Sequence, residues 1–319
     1  MNRNLTAPKI GFLIPLLLLF VCCKSRAGQQ QQPATITAGS IATIRLDSIT
    51  LISDLAFLSA PALEGRDAGS TGNSTARTYI AQRFDSLQLE KPGNIRFQSF
   101  EWNADKKVVN VLGMIKGSSF PDQYYVVSAH YDHVGMHGGK IYPGADDNAS
   151  GTAALLAMAA WFKQHPPQHT LLFASFDGEE KGLVGSRNFV KDPPIPMEQV
   201  RLNINMDMVS RNDSNQIYAC GSHHYPFLKP FIDSLRKLST VNLLAGHDGG
   251  QGGQQDWTGQ SDHFPFHQQH IPFLYFGVED HPDYHQPTDT FDKIDPGFYY
   301  RVCNMIAEAI LLLDRQEKW

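Results

Sequence analysis

The stretch YYVVSAHYDHVG (residues 124–135) is an apolar run that ends in His130 and then becomes polar. A second apolar run, TLLFASF (170–176), is followed in the same way by DGEEKG (177–182). Apolar runs of this length, alternating with helical patterns, are typical of parallel strands in an α/β sheet. In such a sheet the polar residues that follow the strands meet in a cleft at one edge. The two stretches therefore predict both the fold class and where the functional site lies.

The other elements continue this alternation. Helical patterns, with one apolar face each, occupy about 46–59, 72–88, 149–164 and 297–315. Further strands are expected at 97–102, 107–116, 216–220 and 271–278, and one more ends at Asp207. Strands 97–102 and 107–116 are so close in sequence that they predict an antiparallel hairpin at the edge of the sheet. The expected fold is a three-layer α/β/α domain, residues 46–316, with a mixed, mostly parallel central sheet.

Five residues of metal-binding type lie at the ends of these runs or in the polar loops after them. They are His130, Asp146, Glu180, Asp207 and His285. Zinc binds imidazole nitrogen and carboxylate oxygen, and a catalytic zinc site keeps a position open for water. Two histidines and three carboxylates can hold two zinc ions if one carboxylate bridges them. Each residue alone also has an ordinary structural explanation, but the set predicts a two-zinc hydrolytic centre.

Two neighbouring carboxylates fit this interpretation. Glu179 directly precedes Glu180, and adjacent side chains on an extended chain point in opposite directions. One glutamate can therefore bind metal while the other faces the water as general base. Asp132 lies two residues after His130, on the same face of a strand, so it can hold the other nitrogen of the imidazole ring.

These motifs together resemble the co-catalytic di-zinc aminopeptidase family, which contains bacterial leucyl aminopeptidases and has glutamate carboxypeptidase II and glutaminyl cyclases as more distant relatives. The resemblance covers roughly residues 50–315. It is carried by SAHYDHVG (128–135), GADDNASG (144–151), FDGEEKG (176–182), NMDMV (205–209) and DYHQPTD (283–289), and also by LEGRDAGSTGN (63–73) and SDHFPF (261–266).

The resemblance implies a role for each ligand. His130 and Asp207 are expected to bind one zinc ion, Glu180 and His285 the other, and Asp146 is expected to bridge the two. The implied activity is removal of the N-terminal residue from peptides that have a free N-terminus.

The same resemblance implies that Glu179 is the general base and that the hydroxyl of Tyr284 supports the tetrahedral oxyanion. Side-chain preference would come from a pocket near residues 246–266. The Gly/Gln-rich part of this segment, residues 246–260, is expected to be a loop, and SDHFPF (261–266) resembles the family's late substrate-side helix. The candidate pocket residues are Trp257, Asp262, His263, Phe264 and Phe266.

Eight further histidines are expected to be structural rather than metal ligands. His263 is an intermediate case that could line the pocket. The structural group comprises His133, His137, His223, His224, His247, His267, His270 and His281.

Two other functions are compatible with parts of the pattern. A glutaminyl cyclase or carboxypeptidase-like enzyme would share the fold, but cyclases work with one zinc ion, and they usually lack a second aspartate such as Asp147. They also tend to have tryptophan where this chain has Tyr284. A non-catalytic binding ectodomain would be expected to have lost ligands, and none is lost here.

Composition excludes one class of partner. The chain has 319 residues, of which 42% are hydrophobic and 18% charged, and its net charge is −5. It has no basic stripe and no aromatic RNA-binding motif, so nucleic acid is not an expected partner.

The N-terminal segment predicts export. Residues 1–23 combine a basic start with an apolar run from Ile10 to Val21, which is too short for a typical membrane span. The run ends at Cys22 and Cys23, as in the cleaved signal peptides of bacterial lipoproteins. Residues 1–23 therefore predict a lipoprotein-type signal peptide, cleaved before Cys22 or Cys23, and that cysteine would carry the lipid. Residues 24–45 are polar and predict a tether. The expected location is the periplasm, outer membrane or cell surface of a bacterium, with the membrane contacted only through the lipid.

Only Cys220 and Cys303 remain in the mature domain. Two cysteines are too few for a disulfide framework, so buried free thiols are expected, although one bridge between them is also possible.

Overall fold

The strands form a mixed sheet, as the sequence predicts. In chain order they are β1 (Phe97–Asn103), β2 (Lys106–Ile115), β3 (Phe120–His130), β4 (Gly135–His137), β5 (Lys140–Tyr142), β6 (His169–Phe176), β7 (Val200–Met206), β8 (Gln216–Cys220), β9 (Asn242–Ala245) and β10 (Phe273–Gly277). Eight of them make one sheet in the spatial order β1-β2-β6-β3-β7-β10-β8-β9, and β4 and β5 form a separate hairpin.

The centre of the large sheet is parallel and its margins are partly antiparallel. β3 lies between β6 and β7 and is parallel to both, and β10 is parallel to β7. β1 pairs antiparallel with β2, and β2 pairs antiparallel with β6, which confirms the predicted edge hairpin. All eight residues of β6 are buried. This is expected of a central strand covered on both faces.

The helices are α1 (Ser48–Leu58), α2 (Thr71–Ser86), α3 (Gly151–Gln164), α4 (Val184–Lys191), α5 (Lys229–Leu238), α6 (Phe264–Gln268) and α7 (Pro296–Asp314). Side-chain caps define several helix starts. Ser70 accepts a hydrogen bond from the backbone N–H of Asn73 at the start of α2, and Asp295 accepts two at the start of α7, directly before Pro296.

The helices cover both faces of the sheet. Phe189 of α4 and Phe266 of α6 pack in one apolar cluster with Val126 of β3. Tyr125 directly precedes Val126 in β3, so its side chain points to the opposite face of the sheet. There its hydroxyl donates a hydrogen bond to the carbonyl of Leu313 in α7. The domain is therefore a three-layer α/β/α structure, and the predicted fold class is confirmed.

The predicted helices and strands are each present within a few residues of their expected ends. Sequence reasoning did not predict β4, β5 and β9, or the helices α4 and α5. These elements are short, or they lie in the less apolar stretches between the main strands, so their periodicity is weak.

The computed structural model describes residues 44–103, 106–249 and 255–317, which all belong to one compact unit. The predicted signal peptide (1–23) and all of the predicted tether except residues 44 and 45 lie outside the described residues, as do residues 250–254 of the predicted loop. In the described ranges, no helix combines the length and the apolar character needed to cross a membrane. Cys220 and Cys303 are buried free thiols.

Candidate metal centre

The candidate ligands lie at the carboxyl ends of four adjacent parallel strands. β6, β3, β7 and β10 are neighbours in that order, so the segments that follow them meet at one edge of the sheet. His130 is the last residue of β3, and Asp207 directly follows β7. Glu180 lies in the loop after β6, and His285 in the loop after β10. The polar ends of the predicted strands therefore converge as expected.

A first set of possible ligands consists of His130, Glu179 and Asp207, each of which offers one ligand atom within 4.8 Å of the others. His130 Nε2 lies 3.1 Å from Asp207 Oδ1. The other carboxylate oxygen of Asp207 accepts a hydrogen bond of 2.8 Å from Ser261 Oγ, which holds the side chain in place.

A second set consists of His133, Asp147, Glu180 and His285, again with one ligand atom each within 4.8 Å of the others. His285 Nε2 lies 3.0 Å from Asp147 Oδ2 and 3.2 Å from Glu180 Oε1. Glu180 Oε1 is buried and has no hydrogen-bond partner among the described residues. Imidazole nitrogens and carboxylate oxygens are the donors that zinc prefers, so this arrangement fits a zinc ion.

Asp147 is a member of the second set, and it also approaches the first. Its Oδ1 lies 3.4 Å from His130 Nε2, while its Oδ2 lies 3.0 Å from His285 Nε2. One carboxylate oxygen therefore faces each set of ligands. This is the arrangement expected of a carboxylate that bridges two metal ions.

The structure contradicts the expectation that Asp146 is the bridging carboxylate. Its Oδ1 accepts hydrogen bonds of 2.7 Å from both the backbone N–H and the hydroxyl of Ser210, and its Oδ2 lies 3.1 Å from His281 Nε2. With its oxygens occupied in this way, Asp146 ties its own loop to the segments after β7 and β10. The two adjacent aspartates point to different surroundings, and Asp147 is the one that faces the candidate ligands.

Asp289 holds the backbone of the loop that carries Asp146 and Asp147. Its carboxylate accepts hydrogen bonds from the backbone N–H groups of Asp146, at 3.0 Å, and Asp147, at 3.1 Å. The peptide bond between Asp147 and Asn148 is cis. Asn148 in turn donates to the carbonyl of Met206, at the end of β7. The direction of the Asp147 side chain is thus determined by residues far away in the sequence.

Asp132 contacts His130 through a different atom from the predicted one. Its Oδ1 lies 3.6 Å from His130 Nδ1, while its backbone carbonyl is closer, at 3.1 Å. The Asp132 carboxylate also accepts hydrogen bonds from the backbone N–H groups of Glu179, at 3.1 Å, and Glu180, at 3.3 Å. It therefore connects the end of β3 to the loop that carries both glutamates.

The two adjacent glutamates have opposite electrostatic environments. Desolvation raises the pKa of Glu179 well above its ordinary value, although His130 opposes the shift. Burial also disfavours the charged form of Glu180, but contacts with His133 and His285 outweigh it and hold the pKa well below the ordinary value. A carboxylate that stays ionised suits metal binding, whereas a carboxyl with a raised pKa suits proton transfer.

Side chains from both sets line a cleft: His130, Glu179 and Asp207 from the first, and Asp147 and His285 from the second. Its wall contains Glu179 and Tyr284, and the Tyr284 ring stacks on the imidazole of His285 with 4.0 Å between ring centroids. Burial raises the pKa of Tyr284, so its hydroxyl stays protonated and can donate a hydrogen bond. The rest of the wall is partly apolar and includes Met208, Trp257, Gln260, Tyr275, Val278 and Asp280.

Of the candidate pocket residues, Trp257 lines the cleft and the others do not. His263 is buried, and its Nε2 donates to the carbonyl of Trp257 at 2.9 Å, so it supports the wall from behind. Phe266 packs in the core under the sheet, and Phe264 lies beneath the guanidinium of Arg187 at 5.7 Å.

Asp262, the remaining candidate, is fully buried close to the metal-binding residues. Desolvation raises its pKa to about 7, and the nearby His130 opposes the shift. It is absent from the cleft wall, so the structure does not assign it contact with a substrate.

Arg66 is a buried residue beside the site that was not predicted from the sequence. It lies in the motif LEGRDAGSTGN (63–73). Its guanidinium donates to the carbonyls of Tyr131 at 2.8 Å, Pro143 at 2.6 Å and Gly144 at 2.9 Å. These bonds join the segment after β3 to the loop that carries Asp147. The positive charge of Arg66 also interacts with the nearby carboxylates of Asp147, Asp289, Asp132 and Glu180.

His133 is a second residue that sequence reasoning did not assign to the site. It was expected to be structural, but its Nδ1 lies 2.8 Å from Glu180 Oε1 and 3.6 Å from Asp147 Oδ2. Its position three residues after His130, beyond the end of the strand, gave no periodic signal that could have identified it.

Comparisons with known proteins place the sequence among peptidases. The model of peptidase family M28 matches residues 110–310. The chain is 28% identical to aminopeptidase YwaD of Bacillus subtilis over 250 residues, which is 73% of this chain and 50% of that protein. It is 30% identical to a probable zinc metalloprotease of Pyrenophora tritici-repentis over 159 residues, 44% of this chain and 36% of the relative. The chain thus spans half or less of these curated relatives.

Two solved structures show the same fold. The zinc aminopeptidase BSAP of Bacillus subtilis aligns with a TM-score of 0.67 at 18% identity, covering 83% of this chain and 95% of that one. A glutaminyl cyclase of Bacteroides thetaiotaomicron, bound to N-acetylhistamine, aligns with a TM-score of 0.68 at 18% identity, covering 84% and 99%. At these identities the likeness concerns the fold alone.

Proposed function

This chain belongs to peptidase family M28, and from that premise we propose that it is a zinc-dependent aminopeptidase with two zinc ions in its active site. One ion would be held by His130 and Asp207, the other by Glu180 and His285, with Asp147 shared between them. The peptide substrate and the exopeptidase action belong to this proposal.

The observation that carries the proposal is the position of Asp147. One of its oxygens lies 3.4 Å from His130 Nε2 and the other 3.0 Å from His285 Nε2. A carboxylate whose two oxygens face two separate sets of ligands is what a two-metal centre requires. A one-metal centre would use only one of these sets.

Zinc bound at such a site lowers the pKa of water toward about 7 and polarises a carbonyl group. The chain itself supplies the proton transfer. Glu179 lies in the cleft wall, and its raised pKa suits a base that accepts a proton and then delivers it to the leaving amine. Tyr284, in the same wall and protonated, is suited to donate a hydrogen bond to the developing oxyanion.

The charge of the cleft supports a substrate with a free amino group. Asp280 contributes a carboxylate to its wall and is not one of the proposed ligands, and no lysine or arginine among the described residues lines it. Such a wall favours the cationic N-terminus of a peptide and disfavours a terminal carboxylate. The apolar part, which includes Trp257 and Met208, is suited to contact the first side chain of the substrate.

A glutaminyl cyclase remains the second candidate, because the fold is as similar to that of a cyclase as to that of an aminopeptidase. The two activities differ in metal content and substrate. A panel of aminoacyl-anilides, glutaminyl peptides and N-terminally blocked peptides, each with and without a chelator, separates them. Hydrolysis of the aminoacyl-anilides alone supports the proposal, and cyclisation of glutaminyl peptides supports the second candidate.

Metal analysis provides the quantitative test. We expect the purified protein to bind about two zinc equivalents, because the two ligand sets lie on either side of Asp147. Chelation is expected to abolish activity while far-UV circular dichroism stays unchanged, since the site lies at the edge of an already packed sheet. One tightly bound zinc ion with full activity would contradict the two-zinc proposal and favour the cyclase.

We also propose that the protein is a lipoprotein attached through Cys22 or Cys23. Replacing both cysteines with serine should release an active, soluble protein, because the sequence places a polar segment (24–45) between the lipid and the enzyme. Partitioning with membranes and incorporation of a labelled fatty acid would measure this, with Cys220→Ser as the control. Wild-type protein found in the medium without lipid would mean ordinary secretion.

A further inference from the structure

His133 is buried beside the candidate metal centre and lies outside the cleft wall. Its Nδ1 is 2.8 Å from Glu180 Oε1 and 3.6 Å from Asp147 Oδ2. Its ring is 5.6 Å from the ring of His285, at an angle of 65°. His133 therefore contacts members of the second set from a buried position outside the cleft wall.

The contact between His133 and Glu180 is close but does not have the geometry of a hydrogen bond. Neither His133 Nδ1 nor Glu180 Oε1 has a hydrogen-bond partner among the described residues, although the two atoms are only 2.8 Å apart. Leaving buried polar groups unpaired costs about 1–3 kcal/mol each. Two such atoms that lie close together without being aimed at each other are expected where both face a common cation.

The spacing of the four ligand atoms supports this. Two atoms that each lie about 2.1 Å from a tetrahedral zinc ion are about 3.4 Å apart. The contacts in this set are 2.8 Å from His133 to Glu180, 3.6 Å from His133 to Asp147, 3.2 Å from His285 to Glu180 and 3.0 Å from His285 to Asp147. His133 thus takes part in the set with the same spacing as His285.

The ring is held in this position by its surroundings. A side-chain carbon added at Gly144 would lie 2.5 Å from two carbons of the His133 ring, so glycine is needed there for the ring to fit. The backbone N–H of His133 also donates to the carbonyl of Arg66 at 3.3 Å. The ring therefore has little freedom to turn away from Glu180.

We propose that His133 is an additional metal ligand, binding through Nδ1 the ion held by Glu180 and His285; this rests on the proposed function. That ion then has four protein ligands, His133, Asp147, Glu180 and His285. The neighbouring ion has three, His130, Asp207 and the shared Asp147. The two sites are therefore unequal, and the site that contains His133 binds zinc more tightly and loses it last.

The alternative role for His133 is to orient Glu180 through a hydrogen bond. Two substitutions in the full-length protein distinguish the roles. His133→Ala removes the imidazole. His133→Asn keeps an amide donor close to the position of Nδ1 but replaces a good zinc ligand with a poor one. His137→Ala is the matched control, because His137 is an exposed histidine in the same segment whose ring contacts the carbonyl of Val134 and the ring of Tyr142, not the candidate ligands.

The readouts are zinc bound per chain over a series of buffered free Zn²⁺ concentrations and the visible spectrum of the Co²⁺-loaded protein, with circular dichroism to confirm folding. Wild-type protein and His137→Ala should fill one site before the other. His133→Ala and His133→Asn should both weaken the tighter site by more than the roughly 10–100-fold that loss of an outer partner costs, and both should change the Co²⁺ spectrum.

Wild-type zinc affinity and an unchanged Co²⁺ spectrum in His133→Asn would overturn the proposal and leave His133 as a hydrogen-bond donor to Glu180. If His133→Ala does not fold, His133→Asn alone decides the question. The result is separable from the proposed function. Tight zinc binding that depends on His133, without hydrolysis of any peptide, would refute the aminopeptidase activity but support His133 as a metal ligand. Peptide hydrolysis together with unaltered metal binding in both variants would support the aminopeptidase and refute the ligand role of His133.

Discussion

Replacing Glu179 with glutamine should lower kcat by roughly 10²–10⁴-fold, the usual effect of removing a general base, while zinc content stays at the wild-type level. Glutamine keeps the shape of the side chain and its ability to hydrogen-bond, but it cannot accept the proton. Metal content should survive because the ligands assigned to each ion are intact. The affinity for substrate should also change little, since the cleft wall keeps its form.

The same substitution at Glu180 should lower activity for a different reason. Glu180 Oε1 lies 3.2 Å from His285 Nε2 and 2.8 Å from His133 Nδ1. Glu180→Gln therefore removes the negatively charged metal ligand from that set. Activity should fall because zinc is lost, and excess zinc should restore part of it. The two variants thus form a matched pair, one residue apart in the same loop.

Zinc stoichiometry and kcat, measured side by side for both variants, check these expectations. Loss of metal in Glu179→Gln together with retention in Glu180→Gln would mean that the two roles are reversed. This outcome is a sharp test, because Glu179 itself lies within 4.8 Å of ligand atoms on His130 and Asp207. If neither variant changes the rate by about tenfold, the catalytic site lies elsewhere.

The second large effect concerns the two adjacent aspartates. Asp147→Asn should weaken zinc binding at both sites, by more than the roughly 10–100-fold expected for an outer-shell residue, because its carboxylate faces both ligand sets. Asp146→Asn should leave both sites able to fill at saturating zinc. Its cost should appear in the free energy of unfolding, since Asp146 accepts two hydrogen bonds from Ser210 and faces His281.

A hydrogen bond to a charged group contributes about 1.5–3 kcal/mol, so a loss of that order is expected for Asp146→Asn. Zinc titrations and urea unfolding of both variants measure the two effects separately. Loss of both zinc ions in Asp146→Asn, with wild-type binding in Asp147→Asn, would restore the bridging role to Asp146.

Much of the fold was predictable because strong apolar runs and helical periodicity carry it. The buried run TLLFASF became β6, and the edge hairpin formed where two strands lie close together in sequence. The short strand β9 and the helices α4 and α5 were not predicted. Their stability depends on neighbours such as β8 and α7, with which β9 and α5 respectively pack, rather than on a pattern of their own.

The pocket was predicted less well than the ligands. Trp257 lines the cleft, whereas His263 and Phe266 are buried behind or beneath it. Trp257 lies in a short turn, while His263 and Phe266 lie at the start of and within the helix α6. Sequence alone does not show which of these side chains faces the cleft.

By itself the sequence determined the class of sheet and the kind of residue at or just after the end of each strand: histidine at the end of β3, glutamates after β6 and aspartate after β7. Strand periodicity makes this possible, because parallel neighbours bring their ends to one edge. The tertiary structure alone decided which of Asp146 and Asp147 faces the ligands, and that His133 lies among them. These directions depend on Asp289, Ser210 and Arg66, which are more than sixty residues away from the side chains they orient and have no local pattern in common with them.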